Sequence, residues 1–443
     1  MNRSKTLSVF LVFCLLFPTI GFAIVAPPID TLLEALSSPE IDISEFDRPL
    51  PPSPANLYYL QGLRLLNENK LDEAIEVFNT ALEQDSRHVP TIMALAEVAL
   101  KQNRIEDAAQ RCQTVIQIDP HNPRWRVVYA QILASQNKVP EAEKNLQEAA
   151  QLAPESFQPR MVLGNLYNRQ DKPEEAVKEY EAASRLAPTL LQPRIAATLT
   201  YAKMGQMDKA HEEADEIIKV APQNPAIFTL KGALYAQQNQ FDKAVELFKS
   251  AIAADYSYHP AHTLLGDTRF KLKDYDAAIE SYKNAISVAP NTITAHLNLG
   301  STYFVKGQRA EAKNAFQTAL KLNPNLSVAQ NNLAWLYAED GENLNEALHL
   351  MESAVKQAPE NSEFLDTLGW VYYRKGDYPK ALENLEAAIL VGTKDPMTYY
   401  HLGQVYIRQG DQSKARETFK QALNLNPNFE KAAEIKAIIS KVR

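Results

Sequence analysis

The sequence predicts an all-α protein in which short pairs of helices stack one on another. The main observation is a period of 34 residues that begins near residue 55 and continues to the end of the chain. A unit of this length cannot bury its own apolar face, so it must pack against its neighbours in a solenoid. The period shows most clearly in an alanine that recurs every 34 residues, with a single gap of 35: Ala74, Ala108, Ala142, Ala176, Ala210, Ala244, Ala278, Ala312, Ala347, Ala381 and Ala415.

Further columns, aligned on that alanine, divide each unit into two helices. A small residue lies twelve positions before the alanine in most units, and a tyrosine often follows the small residue by three positions, on the same helical face. A bulky apolar residue follows the alanine by four positions, as Phe78, Phe248 and Phe316 illustrate. A proline ends the second helix in most units, because proline cannot continue a helix. Each unit is therefore predicted to be helix A, a short turn and helix B.

These columns resemble the tetratricopeptide repeat (TPR), in which Leu, Gly, Tyr, Ala, Phe, Ala and Pro fall at the same offsets. The resemblance covers residues 55–429 and implies a right-handed superhelical solenoid of about eleven repeats. It also implies that the A helices line a concave groove, which in this family commonly binds a peptide or a partner protein. The repeats begin at Ala55, Val89, Pro123, Phe157, Leu191, Pro225, His259, Ile293, Ser327, Ser362 and Pro396.

The first 23 residues have the pattern of a secretory signal peptide. Arg3 and Lys5 precede an apolar run, and small residues at Gly21 and Ala23 suit a signal peptidase. We predict cleavage after Ala23, with Ala26 as the other site. The rival interpretation is an uncleaved signal anchor to about residue 26, since ~20 apolar residues can cross a bilayer. The protein is thus predicted to be periplasmic or secreted or, in the rival case, anchored in the inner membrane facing the periplasm.

Residues 24–54 and 430–443 are predicted to flank the array. The first stretch is acidic and contains seven prolines, which indicates an extended linker. The second has apolar residues at Ala432, Ile435 and Ile439 with charged residues between them, which predicts an amphipathic helix that caps the last repeat.

Composition and motifs disfavour several classes of function. The formal net charge is −8 and there is no basic stripe, so the chain is a poor candidate for binding nucleic acid. It has no phosphate loop, dinucleotide glycine motif or zinc-protease motif, so we predict neither an enzyme nor a cofactor. The histidine cluster at His259, His262 and His296 is interpreted as packing between repeats rather than a metal site. Cys112 is interpreted as a buried small apolar residue rather than a reactive thiol.

The candidate partner-binding residues lie on A helices of the C-terminal half. Positions 2, 5, 9, 12 and 13 of helix A face the groove in the TPR family, and here they carry aromatic rings with polar neighbours, as binding hot spots do. Trp335 and Trp370 carry most weight, because position 9 is not a core position of the repeat. The other interpretation is that neighbouring A helices bury these rings against each other. The candidates are Phe304, Asn331, Trp335, Asp366, Trp370, Tyr373, Arg374, Tyr400 and Gln404, with Phe270 and Arg408 beside them.

A secondary candidate is an arginine ladder. Arg126, Arg160 and Arg194 are the fourth residues of three consecutive repeats, where the TPR pattern prefers an apolar residue. Three guanidinium groups at a regular spacing suit an anionic partner. The alternative is that each pairs with a glutamate or a helix B carbonyl of the preceding repeat.

Together these features predict an exported scaffold that binds a partner protein segment, an extended peptide or a helix, in the assembly of an envelope or secretion complex. Residues 331–377 are similar to bacterial exported TPR proteins associated with surface polysaccharide or protein-sorting systems. The alternative is a carbohydrate-binding accessory protein of exopolysaccharide assembly or export. In either case, the membrane is predicted to be contacted only through an uncleaved N-terminal segment.

Overall fold

The computed structural model of the chain describes residues 53–441. The signal-peptide prediction, nearly all of the linker and the last two residues of the predicted cap lie outside the described residues. Within residues 53–441 the chain forms 23 α-helices and no β-strand. No helix in this range is long and apolar enough to cross a membrane.

The helices belong to two compact bodies that meet in sequence between residues 223 and 224. The N-terminal body contains α1 (Pro54–Asn67), α2 (Leu71–Gln84), α3 (Val89–Lys101), α4 (Ile105–Ile118), α5 (Pro123–Ser135), α6 (Val139–Leu152), α7 (Gln158–Arg169), α8 (Pro173–Leu186), α9 (Leu191–Lys203) and α10 (Met207–Val220). The C-terminal body contains α11 (Pro225–Gln237), α12 (Phe241–Ala254), α13 (His259–Lys271), α14 (Tyr275–Val288), α15 (Ile293–Val305), α16 (Arg309–Leu322), α17 (Ser327–Asp340), α18 (Leu344–Gln357), α19 (Ser362–Lys375), α20 (Tyr378–Leu390), α21 (Pro396–Gln409), α22 (Gln412–Leu425) and α23 (Ala432–Lys441).

Within each body the packing follows the order of the chain. Odd-numbered helices from α1 to α21 are the A helices, and each packs on the B helix that follows it. B helices pack in turn on the next A helix, and several A helices also contact one another directly, α17 and α19 among them. This arrangement confirms the predicted all-α solenoid of helix pairs.

The contact between helix A and helix B explains the alanine and glycine columns. The repeat alanines Ala244 and Ala312 are completely buried, and so is the bulky residue Phe248. A Cβ atom added to Gly232 would lie 2.7 Å from the ring of Phe248, closer than real carbon atoms approach. The small residue therefore gives the aromatic ring of helix B the space to lie against the backbone of helix A.

Every turn from helix A to helix B in the eleven repeats contains a residue in the left-handed conformation. Most are asparagine or glycine, the residues that adopt it at least cost. The ninth repeat needs two, Gly341 with φ 70° and Asn343 with φ 48°, because it carries the extra residue. The full set is Asn69, Asn103, Asn137, Asp171, Gly205, Asn239, Lys273, Gly307, Gly341, Asn343, Gly376 and Gly410.

The terminal helix α23 lies where the amphipathic pattern predicts a cap. It packs on α22, and its residues Ala432 and Ile435 are buried. The helix begins two residues after the predicted start at residue 430.

Candidate partner-binding site

The predicted groove residues of the C-terminal body come together as one aromatic cluster, defined as Phe304, Trp335, Trp370, Tyr373 and Tyr400. Four successive A helices contribute to it: α15, α17, α19 and α21. Phe304 meets Trp335 edge to face with ring centres 5.2 Å apart. Trp370 stacks on Tyr373 at 4.7 Å, with an angle of 7° between the planes. All five rings belong to the same apolar core region of this body, either as buried members or packed against it.

Trp370 is the most constrained ring of the cluster. Its indole Nε1 donates a hydrogen bond of 2.7 Å to the carboxylate of Glu339, at the end of α17. His401 of α21 also stacks on the indole, at 4.2 Å. The guanidinium of Arg374 lies 5.8 Å from the ring centre, within cation–π range. Partners on α17, α19 and α21 thus hold the indole in one orientation.

The extra residue of the ninth repeat contributes to this constraint. Arg374 donates a hydrogen bond of 3.1 Å to the backbone carbonyl of Glu339, just before the longer turn. The same guanidinium lies beside Gly341 of the turn, because a Cβ atom added to this glycine would be 2.9 Å from it. Arg374 of α19 therefore joins α17 to the next A helix, and the missing side chain at Gly341 leaves space for it.

A buried polar pair lies beneath the aromatic rings. Nδ1 of His401 is 3.0 and 3.2 Å from the two carboxylate oxygens of Asp366, and both residues are buried. Because a carboxylate only accepts, Nδ1 carries the proton in this contact. The pair joins α19 to α21 and satisfies groups whose burial would otherwise be costly. On α17, buried Asn331 has a side-chain oxygen that no donor among the described residues reaches.

The part of the site that solvent reaches is a rim, defined as Phe304, Tyr373, Arg374, Gln404 and Arg408. The first four are half-buried and Arg408 is exposed. Arg408 donates a hydrogen bond of 3.3 Å to the Tyr373 hydroxyl, so the two side chains orient each other.

The cap helix also reaches the site. The Tyr400 hydroxyl donates a hydrogen bond of 2.7 Å to Glu434 of α23, and Gln404 donates to the same carboxylate at 3.3 Å. Burial, followed by the hydrogen bond to Glu434, raises the pKa of Tyr400 well above its usual range. The phenol therefore stays protonated and continues to donate.

The two tryptophans at position 9 of helix A are buried, contrary to the sequence prediction. Position 9 of helix A was expected not to be a core position, but Trp335 is 5% exposed and Trp370 is 7% exposed. The reason is the direct contact between neighbouring A helices, which leaves these rings between α15, α17, α19 and α21 instead of in solvent. Asn331, Asp366 and Tyr400 are buried as well. Binding by the cluster stays a prediction, and only the rim offers side chains that a partner can reach without opening the stack.

Each arginine of the ladder, in the N-terminal body, is paired. The nitrogen–oxygen distances are 2.6 Å for Arg126 with Glu148 and 2.9 Å for Arg160 with Glu179. Arg194 pairs with Glu213, also at 2.9 Å. These glutamates belong to helix B of the same repeat, not of the preceding one as the sequence interpretation proposed. Binding of an anion by the ladder stays a prediction, and it requires these pairs to be exchanged.

His262 and His296 of the histidine cluster have hydrogen-bond partners, and Cys112 lies in the core of the N-terminal body. Nε2 of His262 lies 2.9 Å from the carbonyl of Tyr256, and Nε2 of His296 lies 2.9 Å from that of Pro290. No group of three metal-binding side chains occurs within the described range. Cys112 is fully buried, and burial raises the pKa of its thiol to about 12, as expected for a small core residue.

Family models match the sequence over nearly the whole array. The model described as Cilia and flagella-associated protein 70 C-terminal domain matches residues 190–438, more than half of the chain. One tetratricopeptide repeat model matches residues 65–132 and again residues 100–166. A second tetratricopeptide repeat model matches residues 158–190. No curated protein matches the sequence.

Solved structures of helical-repeat proteins are similar over long stretches at low identity. The Cut9–Hcn1 hetero-tetramer of the APC/C is 14% identical, covering 88% of this chain and 96% of that chain, with a TM-score of 0.46. Yeast Tom70 is 14% identical, covering 88% and 95%, with a TM-score of 0.38. A tetratricopeptide repeat protein from Parabacteroides merdae ATCC 43184 is 18% identical, covering 56% and 97%, with a TM-score of 0.42.

Proposed function

We propose that this chain, which belongs to the tetratricopeptide repeat family, is an exported scaffold that binds a partner protein segment. More than half of the chain matches the model described as Cilia and flagella-associated protein 70 C-terminal domain. A TPR array is a protein–protein interaction scaffold. The finer elements of the proposal are the site, the envelope location and a role in assembling an envelope or secretion complex.

The single observation that carries the proposed site is the rim above a rigid aromatic support. Tyr373 stacks on a buried tryptophan and is oriented by Arg408, so it loses little side-chain freedom when a partner binds. Tyrosine and arginine are the residue types most enriched in interface hot spots, together with tryptophan. A site built on helices with a packed support is also more precise than one on loops.

The polar members of the rim indicate what a partner segment offers. Arg374 and Arg408 donate hydrogen bonds and carry positive charge, while Gln404 can both donate and accept. The nearby carboxylates of Glu339 and Glu434 are occupied by Trp370, Tyr400 and Gln404. We therefore propose a segment that presents an apolar side chain to Tyr373 and backbone or side-chain oxygens to the two arginines.

The proposed export rests on the sequence of residues 1–23. A basic start, an apolar run and small residues before Ile24 are the features of a cleaved leader. A chain exported in this way meets envelope proteins, which makes an envelope protein the proposed partner. In the rival form of the proposal, the leader remains as an inner-membrane anchor and the array faces the periplasm.

The alternative function is a carbohydrate-binding accessory protein of exopolysaccharide assembly or export. Partly exposed Phe304 and Tyr373 favour it, since a sugar ring can stack on such faces. Burial of Trp335 and Trp370 disfavours it, because these larger rings offer almost no free surface.

Site-specific photocrosslinking tests the proposal. A benzoylphenylalanine crosslinker is placed at Tyr373 and, as a control, at Leu390, which is 87% exposed on a B helix of the same body. In cells that produce the protein, we expect one identified protein to crosslink from position 373 and not from position 390. Adding Arg408→Ala should lower that yield without changing the melting temperature.

Two outcomes contradict the proposed site. Equal crosslinking from both positions means that the contact is non-specific. Co-purification of envelope polysaccharide, lost in Tyr373→Ala and without a protein crosslink, favours the carbohydrate alternative.

A further inference from the structure

A hydrogen-bonded pair recurs where one repeat stacks on the next. In the C-terminal body, Tyr406 donates to Glu386 at 2.9 Å and Tyr372 donates to Glu352 at 3.3 Å. In a third pair, the hydroxyl of Tyr337 accepts from Gln317 at 2.8 Å. Each tyrosine lies on helix A, and its partner lies twenty positions earlier on the preceding helix B. The pair therefore fills the seam between the two helices with an aromatic ring and closes it with a hydrogen bond.

The stack of α13 on α12 departs from this rule. Arg269 stands in the place of the tyrosine, and Lys249 stands in the place of its partner twenty positions earlier. Two cations thus occupy positions that hold a hydrogen-bonded pair at the three junctions above. At the junction of α15 with α14 the ring of Tyr303 is present, and Lys283, twenty positions earlier, lies 5.8 Å from its centre. Arg269 turns toward α14, where its Nη1 donates to the Ala277 carbonyl at 3.1 Å and the Ser281 hydroxyl at 2.9 Å.

A cleft opens where the aromatic ring is missing. It has a volume of about 380 Å³ and lies between α12, α13 and α14. Ile252 and Leu265 give it apolar walls, and partly exposed Tyr256 borders it. Lys249 and Arg269 also line it, so cationic groups stand beside apolar walls.

The charges around the cleft favour an anion. Its lining contains the two cations and one carboxylate, that of exposed Glu280. Lys249 also forms an ion pair of 2.8 Å with Glu246, but the two side chains are 51% and 72% exposed. A surface pair of this kind contributes little free energy, so an incoming carboxylate can replace it. The hydrogen bonds of Arg269 to α14 hold its guanidinium in place at the cleft.

We propose that the cleft is a second docking site, which takes an acidic segment of a partner protein. One aromatic side chain of that segment enters the space left by the missing tyrosine, and a neighbouring aspartate or glutamate pairs with Lys249 and Arg269. The ligand thereby restores the aromatic ring and the carboxylate that Tyr372 with Glu352 and Tyr406 with Glu386 provide at two other junctions. The inference rests on the proposed function only in taking a protein as partner, and the cleft shares no residue with the rim.

Methyl NMR with short peptides tests the cleft directly. The probe is the capped peptide acetyl-Asp-Glu-Phe-Glu-Asp-amide, and its control is acetyl-Asn-Gln-Phe-Gln-Asn-amide. We expect saturable shifts of the Ile252 and Leu265 methyl signals with the acidic peptide. The neutral peptide should bind at least about tenfold more weakly, and salt should weaken the acidic one, because charge-assisted contacts provide the difference.

A pair of matched variants separates binding from folding. Lys249→Glu with Arg269→Tyr builds the tyrosine–glutamate pair found at Tyr372 and Tyr406 and fills the cleft, so this double variant should lose peptide binding and keep or raise its melting temperature. Lys420→Glu makes the same charge change at the equivalent position of the last repeat and should bind like the original protein. If the double variant does not fold, Lys249→Gln alone should still weaken the acidic peptide several-fold.

Three results overturn the inference: no shift of either methyl group, equal affinity for the two peptides, or undiminished binding by the folded double variant. None of them bears on crosslinking at Tyr373. Failure of this inference and failure of the proposed function are therefore distinguishable.

Discussion

At the scale of single residues, the repeat alanines are the positions where packing leaves no space for a larger side chain. Ala244 is completely buried on α12, whereas Ala254 at the end of the same helix is exposed. Leucine at Ala244 overpacks the contact between α11 and α12, so we expect Ala244→Leu to lower the free energy of unfolding by about 1–3 kcal/mol. Ala254→Leu is the matched control and should change it little. Urea unfolding of both variants measures the difference, and equal stability would show that the repeat register is wrong.

A second residue links a buried contact to pH. Asp267 of α13 is buried, and its Oδ1 accepts hydrogen bonds of 2.8 Å from Tyr282 and from Asn298. Burial raises the pKa of this carboxyl to about 7, despite both hydrogen bonds and the charge of Lys271, which lower it.

The sign of the effect follows from the two pKa values. Unfolded chains release the Asp267 proton near pH 4, whereas the folded chain keeps it until about pH 7. This residue's contribution to stability therefore falls as pH rises from 4 to 7 and is constant above that. We expect Asp267→Asn to remove this part of the pH dependence in urea unfolding at pH 5 and pH 8. An unchanged difference between the two pH values would contradict the assignment.

At the scale of elements, the cap is the piece that closes the array. Residues Ala432 and Ile435 of α23 are buried against the rest of the C-terminal body, and Glu434 accepts the Tyr400 hydrogen bond. Deletion of residues 430–443 exposes the last apolar face, so we expect fraying of α21 and α22 and binding of a hydrophobic dye. Ile435→Asp should reproduce this effect, and Ala433→Asp, on the exposed side, should not. A truncated chain that is equally stable and soluble would remove the assignment.

Helix order and turns could be predicted from the sequence because each depends on local rules. Proline at the ends of B helices and the 34-residue period locate the helix pairs without knowledge of how pairs stack. The burial of Trp335 and Trp370 could not be predicted, because it depends on the direct contact between A helices. The glutamate partners of Arg126 and Arg194 could not be predicted either, because they too depend on how helices pack together. The angle between helix A and helix B of one repeat decides which carboxylate an arginine reaches.

At the scale of the whole molecule, the proposed location of the array depends on the predicted leader. Export with cleavage predicts a mature chain that begins at Ile24 or, at the second site, at Pro27. Mass spectrometry of protein isolated from producing cells, fractionated into soluble and membrane material, measures this terminus. An intact Met1 in the membrane fraction would establish the anchored form instead, and full-length chain in the cytoplasm would contradict export altogether.

The C-terminal body as a whole separates packing residues from proposed binding residues. Trp335 and Trp370 are buried between the A helices, and the rim above them is the proposed contact with the partner. Truncating either buried indole leaves a cavity, which costs about 3–5 kcal/mol for each tryptophan. Truncation of Trp370 also removes the donor of the hydrogen bond to the Glu339 carboxylate. Truncating Tyr373 removes partly exposed ring contacts with Trp370 and Tyr378 and the hydrogen bond from Arg408. An aromatic pair of this kind is worth about 1 kcal/mol.

Thermal unfolding followed by circular dichroism, run beside a pull-down without crosslinker of the partner that crosslinking identified, tests this division most directly. We predict that Trp335→Ala with Trp370→Ala lowers the melting temperature strongly. Tyr373→Ala with Arg408→Ala should keep most of it and lose the partner. The opposite result, a stable double tryptophan variant or a rim variant that still captures its partner, would contradict the account.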